Sequence, residues 1–257
     1  MNESLYIAAT GLQAQQLTID TIANNLANIN TNSFKKAHVN FLELMNTDGG
    51  NAVGGTVAAG NPLGIGVSVD SVARDFTPGA LAQTNSPMDV AINGSGFFEV
   101  TLADGSHAYT RGSTFQLTKD SFLATSAGNV LKPAIHIPAN VAAITIGVDG
   151  TVSVQATPQA QPTTVGQLEL VNFPNASALK EVNSGVFAPT DLSGQPIYGK
   201  PGTQGLGSVV QGSLENSNVT MVNEMVSLMI AQRAYEMSSK VAQASDEMMQ
   251  MANNLRR

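Results

Sequence analysis

The sequence contains no cysteine, so it holds no disulfide and offers no thiolate chemistry in any compartment. It has no tryptophan, and 5% of its residues are aromatic. Charge is sparse at 12% of residues, against about a quarter in an average soluble domain. The 12 basic residues are scattered, with only Lys35-Lys36 and Arg256-Arg257 adjacent, and the formal net charge is -7. A phosphate backbone finds no basic footprint here, so no nucleic-acid partner is expected. No uninterrupted apolar run approaches the ~20 residues that span a bilayer, so the chain is not expected to be membrane-embedded. The first basic residue is Lys35, and Met1-Asn2-Glu3-Ser4 lacks the basic start of a Sec-type signal. Export, if it occurs, is therefore expected to proceed without a cleaved signal peptide.

Signatures of chemistry are missing as well. His38, His107 and His136 stand in separate contexts, none with a second histidine or a carboxylate at helical ligand spacing, so no metal site is expected. Asn93-Gly94-Ser95-Gly96-Phe97-Phe98 invites a phosphate-loop reading, but the third glycine of that pattern would fall at Glu99, and a strand follows instead of a helix. No serine sits in a nucleophile elbow, and Asp246-Glu247 is too isolated to be a catalytic pair. Catalytic residues and cofactors are accordingly expected to be none.

What the sequence does have is periodicity at its two ends. Over about residues 3–32, Leu5, Leu12, Ile19 and Leu26 recur every seven residues, with Ala8, Gln15, Ile22 and Ile29 three residues after each. That is the apolar seam of a helix built to pair, and Asn28, Asn30 and Asn32 end it. Over about residues 220–255, Ala234, Val241, Met248 and Leu255 form one row and Ile230, Met237, Ala244 and Met251 its companion. Val219, Val222, Val226 and Met229 form an offset stripe upstream. Asn218 or Thr220 is the candidate cap. The methionines of this helix, at helical spacing with Val, Ile and Leu, read as core or interface and not as ligands for a soft metal.

The middle is different. Residues 46–66 are Gly-rich and nearly uncharged, a loop or extension. From about 67 to 215 the text is strands and turns. The strand candidates are Val90–Ile92, Phe97–Leu102, Ala108–Phe115, Ile144–Ile146, Thr151–Val154 and Gln167–Phe173. Asn93-Gly94, Asp104-Gly105 and Asp149-Gly150 are hairpin-type dipeptides, and Asn129 reads as a polar turn position that keeps its water. The expected fold is mixed α and β, with long N- and C-terminal helices pairing as a coiled-coil-like core and an all-β domain inserted between them. Its expected parts are an assembly helix at 1–35, a Gly-rich extension at 36–66, an all-β domain at 67–215 and a second assembly helix at 216–257. Both helices outrun the mean of about 11–12 residues, which favours packing against neighbouring chains beyond pairing with each other.

Several strings resemble one family. Ala23-Asn24-Asn25-Leu26-Ala27-Asn28, followed by Thr31-Asn32-Ser33-Phe34-Lys35, is similar to the N-terminal signature of flagellar rod and hook proteins, which usually have Gly where Ser33 stands. Ser217-Asn218-Val219, Glu224-Met225-Val226 and Gln232-Arg233-Ala234-Tyr235-Glu236 resemble the family's C-terminal signature. Asp89-Val90-Ala91-Ile92-Asn93-Gly94, with Tyr109-Thr110-Arg111 beyond, resembles its β domain, although Asp120-Ser121 replaces the usual Asn-Gly-type turn. Length argues against the hook protein, and the intact end signatures favour the distal rod, with the proximal rod paralogue as the alternative. A secreted adhesin-like β module would need no terminal heptads.

The resemblance implies a structural subunit and not an enzyme, one that builds a helical tube. Terminal helices would line a central export channel, and the tube would carry torque from motor to hook. Implied partners are copies of itself, proximal rod subunits, hook-side subunits, the periplasmic and outer-membrane bushing rings and the flagellar type III export apparatus. The implied location is the basal body, spanning the periplasm. Seams and signatures together nominate Leu5, Leu12, Ile19, Ile22, Leu26, Asn28 and Phe34 from the N-terminal part as assembly contacts. From the C-terminal part they nominate Val226, Ile230, Arg233, Tyr235, Met237, Val241, Met248 and Leu255.

Overall fold

A computed structural model describes residues 2–45, 64–138, 141–156, 161–183 and 185–254. Residues 46–63 of the Gly-rich segment and the nominated contact Leu255 lie outside the described residues. The chain divides into two compact units. One comprises Met1–Ala27, Ala37–Ala73 and Thr220–Arg257; the other comprises Asn28–Lys36 and Arg74–Val219.

The first unit is built on two helices, α1 (Asn2–Ala27) and α2 (Met221–Asn254), which pack against each other as expected, though α2 does so through a different face from the seam read in the sequence. α1 is one turn shorter than its periodicity. Asn28 ends it: its backbone C=O accepts from the Thr31 N–H at 3.1 Å, and its side-chain oxygen accepts from the Thr31 hydroxyl at 3.1 Å. Ile29 therefore never joins the helical seam. Asn218 does not cap α2, because its side chain is committed to the backbone of Lys36 and Asp75. Thr220 stands immediately before the helix, and its carbonyl accepts the Glu224 N–H at 3.1 Å. Two strands complete this unit, β1 (Ala37–Met45) and β2 (Gly64–Arg74), paired as a ribbon, with β1 lying along α1. β1 falls in the stretch assigned above to a Gly-rich extension. Its own residues, Ala37-His38-Val39-Asn40-Phe41-Leu42-Glu43-Leu44-Met45, hold no glycine and are rich in strand formers.

The second unit is β-rich. An 11-stranded sheet runs from Lys180–Asn183 at one edge to Ser208–Gln211 at the other. Val141–Ile146, Thr151–Ala156 and Thr163–Gln167 form a separate three-stranded sheet. The core is continuous through both, with Phe98, Phe115, Leu131, Ile137, Val152 and Leu168 all buried. Phe76, Phe97, Phe173 and Phe187 meet edge to face in a second cluster, with centroids 5.0–6.3 Å apart.

The structure corrects four sequence readings. Ala108–Phe115 is two strands: His107–Thr110 pairs with Phe97–Thr101, and Gly112–Leu117 pairs with Asp89–Asn93. The corner is at Gly112, whose φ is +136°, and a Cβ there would stand 2.7 Å from the Val90 carbonyl oxygen. Gln167–Phe173 also divides, because the Leu168 N–H leaves the ladder to bond the Gly150 carbonyl at 2.7 Å. Asn93-Gly94 is a corner and not a hairpin, since the strands on either side of it pair with other partners. Asp104-Gly105 and Asp149-Gly150 do connect paired neighbours. Asn129, read as a water-exposed turn position, is buried at 8% exposure.

Candidate assembly interface

α2 presents two different faces. Toward α1 it offers Glu224, Ala231, Ser238 and Ser245, a row every seven residues; Ala231 is 4% exposed and Ser245 5%. On α1, Ala8, Ala14, Ile22 and Asn25 are buried, and the Asn25 amide reaches Glu224. A Cβ built on Gly11 would lie 3.9 Å from Ser238 Oγ. Small side chains thus let the two helices approach closely. The apolar rows read from the sequence are out of phase with this face: Ile230 and Met237 come one residue before Ala231 and Ser238, and Val241 and Met248 three residues after Ser238 and Ser245. Val226, Ile230, Met237, Val241 and Met248 are exposed, from 45% to 63%. Val222, Met225 and Met229 extend the stripe toward the start of the helix.

The nominated residues therefore separate into three groups. Ile22 is buried in the first unit, where Leu5, Leu12, Ile19 and Leu26 are half-buried. Val226, Ile230, Arg233, Tyr235, Met237, Val241 and Met248 face outward on α2. Phe34 belongs to the second unit, buried with the Arg74 guanidinium 5.3 Å above its ring, and Asn28 is half-buried in that same segment. Together the outward apolar side chains of α2 form an uncovered stripe along it. Covering a side chain already half-buried contributes on the order of 1 kcal/mol, half the full value.

Three polar anchors hold the segments flanking the helices, and the periodicity gave no sign of them. In the second unit Lys35 Nζ bonds Glu215 Oε1 at 2.7 Å and the Thr77 carbonyl at 2.8 Å. Arg111 Nε and Nη2 reach Glu215 at 3.2 Å each, and the same guanidinium donates to the Gly94 and Gly96 carbonyls at 2.8 and 3.0 Å. All three side chains are buried. Burial alone would raise the Glu215 carboxyl, but the Arg111 guanidinium and then the Lys35 ammonium more than reverse it, leaving it below its ordinary value. Burial pulls the Lys35 ammonium below its ordinary value, and Glu215 offsets this only in part. The cluster ties residues 28–36 and the strand Ser213–Glu215 to the sheet corner at Arg111.

Asn218 is the second anchor, accepting the Lys36 N–H at 2.8 Å and donating to the Asp75 carbonyl at 2.8 Å. The third lies in the first unit. The Asn25 amide donates to the Ala37 carbonyl at 2.8 Å and to Glu224 Oε2 at 3.2 Å, and its oxygen accepts the Ala37 N–H at 2.9 Å. One buried side chain thereby fixes α1, β1 and α2 in register. Lys35, Arg111 and Asn25 lie in the strings that carried the family resemblance, and that was the only trace of them in the sequence. Glu215 had none.

Paired terminal helices with one apolar face uncovered, and a β unit inserted between them in the chain, are the architecture of an axial structural protein. Known proteins agree. Residues 5–35 match the profile of the flagella basal body rod protein, 91–154 that of the flagellar hook protein FlgE/F/G D1 domain, and 210–255 that of the flagellar basal body rod FlgEFG protein C-terminal. The flagellar basal-body rod protein FlgG of Buchnera aphidicola subsp. Schizaphis graminum is 42% identical over 260 residues, covering 99% of this chain and 100% of that one. The FlgG of Borreliella burgdorferi is 42% identical over 264 residues, all of both chains. A FlgF rod protein of Caulobacter vibrioides is 32% identical over 257 residues, 98% of this chain and 97% of that one. The chain belongs to the FlgG family of flagellar basal-body rod proteins, those of the distal rod. It is a structural component of the rod, assembles with other flagellar components, and is not an enzyme. Among the described residues, no helix is long and apolar enough to cross a membrane.

Proposed function

We propose that the chain polymerises into a helical tube in which the outward stripe of α2 packs against neighbouring copies. The terminal helices line an export channel, and the β unit faces away from it. In this reading residues 1–35 and 216–257 carry the assembly helices, and 67–215 forms the outer wall. The tube receives its subunits from the type III export apparatus, grows from proximal rod subunits and ends on hook-side subunits. It turns within the periplasmic and outer-membrane rings and carries torque from motor to hook.

The observation that supports this reading is the phase offset on α2. Its small-residue face is used within the chain, while Ile230, Met237, Val241 and Met248 are left for another. An unpartnered carboxylate at the centre of such a contact costs several kcal/mol. Val241→Asp subunits are expected to be exported normally but to build no rods, whereas Lys119→Asp, at an exposed turn of the β unit, builds them. Normal rods from Val241→Asp at matched export levels would overturn the proposal.

A further inference from the structure

The outward face of α2 is unusual in which apolar residue it uses. Met221, Met225, Met229, Met237, Met248 and Met251 are 51–62% exposed. Leucine has the same helix propensity and nearly the same volume, so neither helix formation nor burial calls for methionine here. The sulfur is the difference. The chain has no cysteine to react first. Elsewhere, Met88 is half-buried against the β core, and Met249 is half-buried on α2.

We propose that these six thioethers form an oxidation-sensitive modification site that gates assembly. The inference rests on the reading of this face as the contact between copies. In the free subunit a peroxide reaches each sulfur. The sulfur gives up an electron pair and takes one peroxide oxygen, the O–O bond breaks, and the second oxygen leaves as water. A flexible apolar side chain becomes a polar sulfoxide. The S=O group is a strong acceptor, and its apolar neighbours on this stripe, Val222, Val226, Ile230 and Val241, offer no side-chain donor, Arg233 being the donor within one turn of Met229 and Met237. Burying it against an apolar partner carries the penalty of an unpaired polar group, repeated along the helix. Oxidised subunits are therefore rejected by the growing tube. Subunits already incorporated have the same sulfurs covered and are shielded.

The test uses the full-length purified chain and hydrogen peroxide. Peptide mass spectrometry is expected to show the six exposed methionines converting at least about tenfold faster than Met88. The concentration needed for assembly, read by sedimentation, is expected to rise by on the order of tenfold or more. Treatment with the two methionine sulfoxide reductases should restore it, and a variant with all six changed to Leu should assemble equally with or without peroxide. Should that variant fold poorly, the pair Met237→Leu/Met248→Leu is expected to retain part of the resistance. In isolated basal bodies the same methionines should oxidise far more slowly than in the free chain. Equal oxidation rates in the free chain and in basal bodies would overturn the inference, as would unimpaired assembly of a fully sulfoxidised chain. Ile230→Asp separates this inference from the reading beneath it. If Ile230→Asp assembles normally, the contact reading itself fails. If it does not assemble while the sulfoxidised chain does, only the methionine inference falls.

Discussion

Lys35 Nζ and Glu215 Oε1 lie 2.7 Å apart, both side chains are wholly excluded from solvent, and 180 residues of sequence separate them. The pair, with Arg111, joins the segment that follows α1 to the one that precedes α2. Glu215→Gln leaves two buried cations without their counter-charge and is expected to destabilise the chain by about 3–5 kcal/mol in denaturant melts. Lys35→Met is expected to cost less, because Arg111 still faces the carboxylate.

The same cluster sets an acid response. The Glu215 carboxyl sits below its ordinary value in the folded chain, held there by Arg111 and Lys35 against burial. Its stabilisation is therefore complete above the range of a free glutamate, about 4.3. It is lost as pH falls through the lower folded-state value. The wild type is expected to lose stability on acidification through that window, and Glu215→Gln to show a correspondingly flatter acid limb. Urea midpoints measured across the acid range would check this, and parallel curves for the two chains would contradict it.

The two faces of α2 should respond in opposite ways to substitution. Ile230→Asp, on the outward face, is expected to leave the stability of the single chain within about 0.5 kcal/mol while abolishing assembly. Ala231→Leu, one residue along and 4% exposed, overpacks the contact with α1 and is expected to cost about 1–3 kcal/mol. Thermal melts and sedimentation of the two variants would separate pairing within a chain from pairing between chains.

Asn25 is expected to behave as a register pin. Asn25→Ala strands the Ala37 N–H and C=O and removes a donor to Glu224, at an expected cost of about 1–3 kcal/mol. Amide exchange at Ala37 should accelerate. Unchanged exchange there would show that β1 is placed by packing alone.

Ser121 and Ser33 both occupy the left-handed region, with φ of 62° and 59°. Ser121→Gly is expected to raise stability by about 0.5–1 kcal/mol by relieving that conformation. Ser33→Gly is expected to be near neutral, because it also removes the bond from Ser33 Oγ to the Gly112 carbonyl at 3.0 Å. Melting temperatures of the two variants would decide it.

These examples show where the sequence was legible. The helices were readable because a seven-residue apolar repeat is a one-dimensional pattern, and the start of α2 falls within a residue of expectation. The face of α2 that meets α1 was not readable, since Ala231, Ser238 and Ser245 look like filler beside a row of Met, Val and Ile. The strands were found, but not the corner at Gly112, where a run of β-forming residues changes partner without any interruption in composition. The Lys35–Glu215–Arg111 cluster was invisible for a different reason. A buried charge network is a property of residues brought together from three distant parts of the chain, and no local periodicity announces it.

In the tube proposed above, where the outward stripe of α2 packs against a different surface of the next copy, the contact has a consequence for how growth ends. A surface that is satisfied only by an unlike surface on the next copy is heterologous, and where the rotation does not close a ring it generates an open helix with a fresh unsatisfied end after every addition. Such a rule specifies where the next copy goes and is silent about when to stop. Length must then be imposed by something outside the subunit, whether a limited supply, a cap or a physical barrier.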